Sequence, residues 1–219
     1  MRPVSTPPRP RGRPPLSVDR IIAEATTILD DEGAQALSMR TLAQCLNTGT
    51  TTIYRHFESR DDLIARVINA VMGEVEVDTE ALRHQPWQQA CETVVHAMFD
   101  VLHRHPNVAP LMLERVPVGP RMLAVRERTL GILLEAGFAP RLALQAWATL
   151  ARFVLGFGAQ LNAAEPEPPA TWAETVDWTQ IPATLAVAKH FPIPLENEFA
   201  FGVKLLIRGL EGELSDSPS

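Results

Sequence analysis

From residue 17 onward the apolar positions recur three and four apart, and no stretch alternates convincingly as a half-buried strand would. The pattern predicts an all-α chain without internal repeats. Ser17 reads as an N-cap. Val18, Ile21, Ile22, Ala25, Ile28 and Leu29 follow on one stripe, and Gly33 stops the helix. Ser38 caps a short second helix with Leu42, Cys45 and Leu46 inward. Asn47-Thr48-Gly49 is a turn, and a third helix runs from about Thr50 to His56. Ser59-Arg60-Asp61-Asp62 has the form of a capping box. It opens a fourth helix reaching about Val77, with Leu63, Val67, Val71 and Val75 on its inner face.

Further helices follow. Trp87, Cys91, Val94, Met98 and Val101 line one, and Pro106 and Pro110 bracket a short piece. Pro117 and Pro120 lead into a helix carrying Met122, Val125 and Leu133, stopped by Gly137. Pro140 starts a strongly apolar helix through Leu161. Residues 163–178, with three Pro, four acids and no base, read as a mobile loop. A short helix lies near Ile181–His190. Pro194 opens the last helix, with Phe199, Val203, Leu206 and Leu210 on one stripe. The expected organisation is a disordered basic arm (1–16), a three-helix reader (17–62), a larger helical domain (63–214) and a tail (215–219).

Charge changes this picture. The net charge of −6 argues at first against nucleic acid. Residues 1–60, however, hold eight Arg against six acids, a net of +2, while the remaining 159 hold 12 Lys+Arg against 20 acids, a net of −8. A basic end on an acidic body suits local phosphate contact. The apolar stretch Leu142–Leu161 carries Arg152 at its middle, at a cost of about 3 kcal/mol in a bilayer, so it is read as a helix buried on two sides and no membrane partner is expected. The N-terminus has no apolar run of the signal-peptide kind. Two cysteines make no disulfide framework, and a cytoplasmic setting is the expectation.

Three helices in about 45 residues, the last two joined by a tight turn, make a helix-turn-helix whose final helix presents its first residues to base edges. Thr50, Thr51 and Thr52 bring hydroxyls and methyls to that end, and Arg40 can take a guanine by a bidentate bond. Tyr54, Arg55, His56 and Arg60 offer donors along the phosphate margin, whereas Ile53 and Phe57 read as core. In the arm, Arg11-Gly12-Arg13-Pro14 has the form of an AT-hook core, or is a basic tail adding only charge.

The runs LSMRTLA (37–43) and TIYRHFESRDDL (52–63) closely resemble the signature of the tetracycline-repressor (TetR) family, with Gly49 as a departure just before the reading helix. Pro86-Trp87-Gln88, Gly137, FVLG (153–156), FAFG (199–202) and Gly209-Leu210-Glu211 resemble the regulatory domain of the tetracycline repressors. That resemblance implies a homodimeric repressor, released from double-stranded palindromic operator DNA by a small-molecule effector. It also implies a dimer bundle of the long apolar helix and the last helix, with Phe153, Phe199, Val203, Leu206 and Leu210 as interface candidates. The implied cavity gives Met98, Phe99, Leu102, Met112, Arg115, Trp147, Arg152, Phe157 and Gln160 as lining candidates. Core packing is the simpler reading for Phe99, Leu102 and Trp147. Arg152 must find a partner or water, and the partner is an acid such as Glu114 or an anionic ligand group. The tetracycline repressors hold Mg²⁺ and drug through one histidine, with water-mediated help from another histidine and a glutamate on the long helix. The matching positions here are Met112, Arg152 and Gln160, none a hard anionic oxygen donor, so a metal-free, largely apolar effector and no cofactor are expected.

An enzyme is not expected. His103 and His105 fall on different faces of a helix, and no Gly-rich phosphate loop or nucleophile elbow is present. A helix-turn-helix regulator without a ligand, or one acting as an activator, is the alternative.

Overall fold

The computed structural model describes residues 16–114, 119–162 and 176–215, and among these every regular element is helical. The expectations for the arm, including Arg11 and Arg13, for Arg115, Val116, Pro117 and Val118, and for residues 163–175 lie outside the described residues.

The caps fall where the sequence puts them. In α1 (Val18–Glu32) the Ser17 hydroxyl accepts the Arg20 N–H at 3.3 Å, and Gly33 closes the helix at a φ of 83°. In α2 (Met39–Cys45) Ser38 accepts the Thr41 N–H at 3.0 Å. Asn47 takes a φ of 50° and turns the chain into α3 (Thr50–Tyr54). Ser59 caps α4 (Arg60–Met72) by accepting the Asp62 N–H at 3.1 Å. The reciprocal bond of a capping box is shifted by one residue, because the Asp62 carboxylate accepts the Glu58 N–H at 3.2 Å. Arg66, hydrogen-bonded to Asp62 at 3.1 Å, holds that carboxyl below the usual carboxylate range.

The end of α4 differs from expectation, and a helix not expected follows it. α4 stops at Met72 rather than near Val77. Gly73 takes the turn, at a point where a Cβ would sit 2.9 Å from the Ala70 carbonyl oxygen. Val75 stays buried without being helical, so the apolar period outlasts the helix. A short α5 (Thr79–Arg83) follows, capped by Asp78, which accepts the N–H groups of Glu80 and Ala81 at 3.0 and 3.1 Å.

The larger domain continues through α6 (Trp87–Arg104), α7 (Val108–Glu114), α8 (Pro120–Glu135), α9 (Pro140–Gly158), α10 (Pro182–Val187) and α11 (Leu195–Ser215). Pro occupies the first helical position of α8, α9 and α10, where its missing N–H costs nothing. α9 is central and packs on α6, α7, α8 and α11. Among the described residues no helix is long and apolar enough to cross a membrane.

The α9–α11 contact corrects the expected interface. Phe199 and Val203 are each 1% exposed and face the protomer's own core. Phe199 stacks on Phe99 at 4.0 Å and on Phe153 at 5.5 Å, and Phe157 meets it edge-on. Gly202 lets Phe153 approach, since a Cβ there would lie 2.3 Å from the Phe153 ring. Phe199 and Val203 therefore hold the protomer together, with half-buried Phe153 packed against Phe199. The outward side of α11 instead carries Phe201, 64% exposed, and Leu205, 50% exposed. Leu206 and Leu210 are half-buried beside the α9–α11 groove.

The cysteines differ too. Cys45, expected inward, is exposed, and Ala43 takes the core position. Cys91 is buried, and burial, aided by Glu92, pushes its thiol up to about 12. A thiol reagent at pH 8 should therefore modify Cys45 in the native protein and Cys91 only on unfolding. Equal labelling rates for the two in native protein would contradict the burial.

Candidate DNA-reading and effector sites

The small domain is a packed wedge. Ile21, Leu29, Leu37, Leu42, Ile53 and Phe57 are all 1% exposed or less. As expected, Ile53 and Phe57 thus face inward and turn the opposite side of α3 to solvent. Thr50 and Thr51 are exposed at its start, with Thr52 half-buried behind them. Tyr54, Arg55 and, on the preceding helix, Arg40 are exposed, and His56 is half-buried. Of the described residues expected to read DNA, Arg40, Thr50, Thr51, Tyr54 and Arg55 are exposed on or just after α2 and α3, Thr52 and His56 are half-buried, and Arg60 is turned to other partners.

Arg60 is structural. Its Nε donates to the Leu37 carbonyl at 2.7 Å and its Nη2 to the Ala34 carbonyl, so the start of α4 grips the α1–α2 loop. The sequence offered no sign of this, because the acceptors are main-chain atoms far back along the chain. The two arginines should separate on substitution. Arg60→Ala should lower unfolding free energy by about 1–3 kcal/mol, because carbonyls lose charged donors. Arg40→Ala should leave stability unchanged and cost about 1–3 kcal/mol at the operator but much less on random duplex. Equal losses on both duplexes would make Arg40 a phosphate contact only.

In the larger domain α7, α8 and α9 line a half-open cavity of about 400 Å³. It brings together Met112, Trp147 and Arg152 of the expected lining residues. The other described candidates do not line it. Met98, Phe99 and Leu102 are buried in the α6 core, Phe157 belongs to the aromatic cluster, and Gln160 is exposed with its Nε2 on the Gly156 carbonyl at 3.1 Å. Arg152 is exposed. Its Nη1 donates to the Ala148 carbonyl one turn earlier at 3.3 Å, and among the described residues it makes no pair with Glu114. Met122, Leu123 and Arg126 of α8 line the same cavity and were missed. Exposed Leu123 beside buried Met122 broadens the apolar stripe of α8 towards α9, a signal present in the spacing.

Defined contacts tie α4 and α1 to the later helices. Asn69 of α4 accepts the Arg121 N–H in the first turn of α8 at 3.0 Å. Gly119 keeps that approach open, since a Cβ there would meet Asn69 at 2.3 Å. At the end of α6, His105, with a side chain 13% exposed, bonds Asp30 of α1 through Nδ1 at 2.8 Å and Glu74 through Nε2 at 3.2 Å. Asn107 donates to the Leu29 and Asp30 carbonyls at 2.9 and 3.2 Å and accepts from Asn162 at 2.8 Å. The spacing of His103 and His105 bears only on metal ligation, and partners 75 positions away leave no local pattern.

Residues 21–67 match the family described as bacterial regulatory proteins, tetR family, and residues 81–214 match the tetracyclin repressor-like C-terminal domain. An HTH-type transcriptional regulator of Saccharopolyspora erythraea is 34% identical over 146 residues, 67% of this chain and 61% of that protein, so the match spans less than two thirds of that relative. The class E tetracycline repressor protein of Escherichia coli is 28% identical over 92% of this chain and 93% of its own. Among solved structures, apo ActR from Streptomyces coelicolor superimposes with a TM-score of 0.81 at 28% identity, covering 94% of this chain and all of that one, and ActR has also been solved with actinorhodin.

Proposed function

This chain belongs to the tetR family of bacterial regulatory proteins and is a DNA-binding transcription regulator, and on that premise we propose that it is a homodimeric repressor released from a palindromic operator by a small-molecule effector. Residues 17–62 read DNA and residues 63–214 bind the effector and the second copy. Thr50, Thr51 and Arg40 contact base edges, and Tyr54, Arg55 and His56 fix register on the backbone. The effector enters the cavity between α7, α8 and α9.

The observation that carries the reading is mechanical. The α4 helix grips the reader loop through Arg60 and the cavity wall through Asn69, so displacing α8 displaces the reading helices. Two readers on one duplex face tolerate little change in spacing, because half-site separation follows the DNA helical repeat.

A second copy fits the outer face of α9 and α11. A groove of about 400 Å³ there is lined by Leu142, Leu150, Leu205, Leu206 and Leu210. Gly156, Gly209 and Gly212 have nothing within 4 Å of where a Cβ would be. Each costs about 1 kcal/mol against alanine inside a helix, and a closely packed helix of a second protomer supplies a reason for them.

The reading is tested by selecting bound duplexes from a random pool, then screening small molecules for release of the selected duplex. A palindromic consensus and release by a compound that binds the free protein are expected. Selection of a single non-repeated half-site, or a regulator indifferent to every compound that binds it, would overturn it.

A further inference from the structure

Granting that the cavity between α7, α8 and α9 is the effector site, we propose that it takes an amphipathic anion, with an apolar body inside and one carboxylate-like head held by Arg126 and Arg152. The walls are Met112 and Leu113 from α7, Met122 and Leu123 from α8, and Trp147 and Leu155 from α9. Leu113 and Leu123 are 59% and 41% exposed, so large apolar side chains stand open at the cavity rather than filling it. A cavity of about 400 Å³ lies within the range that encloses a small organic ligand.

The charge at its rim is inverted against its surroundings. Over residues 61–219 acids outnumber bases, 20 to 12. The described lining nevertheless includes Arg126 and Arg152 and no carboxylate. Among the described residues neither arginine makes an ion pair, although carboxylates elsewhere take Arg66, Arg83 and Arg104. An arginine laid over an apolar wall packs its stem on that wall and keeps its head at the water edge. There the planar fork matches a carboxylate or sulfonate in two-point contact. One arginine comes from α8 and one from α9, so an anion held by both ties the two helices together. Because α8 begins on Asn69, the head group acts on the helix that reaches the reader. Cations are repelled, and neutral compounds of the same shape lose the contact to the head.

The full-length protein should be titrated with two probes of like ring body, 1-anilinonaphthalene-8-sulfonate and the uncharged N-phenyl-1-naphthylamine. The sulfonate should bind about tenfold more tightly at low salt, the value of one good charged contact. That advantage should vanish in Arg126→Gln/Arg152→Gln and return in Arg126→Lys/Arg152→Lys, with helical content checked by circular dichroism. Ala151→Phe, which fills the cavity, should abolish tight binding of both probes and so separates this site from other apolar surface. Displacement of the sulfonate by 1-naphthoate or by decanoate then tells ring-bodied from chain-bodied acids. Equal affinity for the two probes, or an advantage that survives the double glutamine variant, overturns the proposal. Operator release by neutral compounds alone would also remove this inference while leaving the repressor reading intact. Arginine-dependent sulfonate binding without release by any compound would do the reverse.

Discussion

Phe201→Glu together with Leu205→Glu should turn the protein into a folded monomer that holds its operator about 10²–10⁴-fold more weakly, the range lost when a two-headed contact becomes one-headed. Both residues are half exposed or more on the outer side of α11, so the charges meet water in the isolated protomer and cost it little. In a dimer each would be an unpaired ion in an apolar seam, far costlier than a lost methyl. Val203→Glu is the informative contrast. Val203 is 1% exposed beneath the same helix, so a charge there should unfold the protomer instead of separating two of them. Sedimentation gives the mass, circular dichroism the fold and a mobility shift the affinity. A wild-type protein that sediments as a monomer at micromolar concentration, or a double variant that stays dimeric, would show that this face is not the interface.

That contrast marks where sequence stops being legible. The stripe Phe199, Val203, Leu206 and Leu210 is real, and its period identifies α11. A helix apolar on two sides does not say which side meets its own core, and here Phe199 and Val203 do so while Phe201 and Leu205 do not. The caps were legible because their partners are local: Ser17, Ser38 and Ser59 each accept an N–H three residues on. So was the inward pair Ile53 and Phe57, which fixes the outward face of α3. The α4 helix was over-extended because Val75 keeps the apolar period beyond Gly73, and burial alone generated that signal. In the cavity Met112, Trp147 and Arg152 were found, whereas Arg126 was missed because α8 reads as an ordinary amphipathic helix with a polar outer face. The contacts least visible in advance are those of Arg60, Asn69, His105 and Asn107. Each reaches a backbone atom or a charge on a distant element, and no spacing rule encodes such a partner.

Those same contacts make the proposed switch quantitative. Saturating operator DNA should weaken effector binding by the total factor by which the effector weakens operator binding, because coupling between two sites is reciprocal. A thousandfold release corresponds to about 4 kcal/mol, divided over however many effector molecules bind. That energy must pass from the cavity to the reader. The structure offers two connections, Asn69 between α4 and α8, and the His105–Asn107 corner between the end of α6 and the end of α1. Asn69 and Asn107 line neither the effector cavity nor the outer face of α2 and α3. Asn69→Ala and Asn107→Ala should therefore change each affinity measured alone by little and reduce the coupling between them, each by about 0.5–2 kcal/mol. The two losses should add if the connections act in parallel, and the double variant should lose no more than the larger single loss if they act in series. Calorimetry of effector binding with and without operator measures each corner of this cycle. If effector affinity is the same on free and operator-bound protein, the cavity and the reader are not coupled, and effector binding has no part in release.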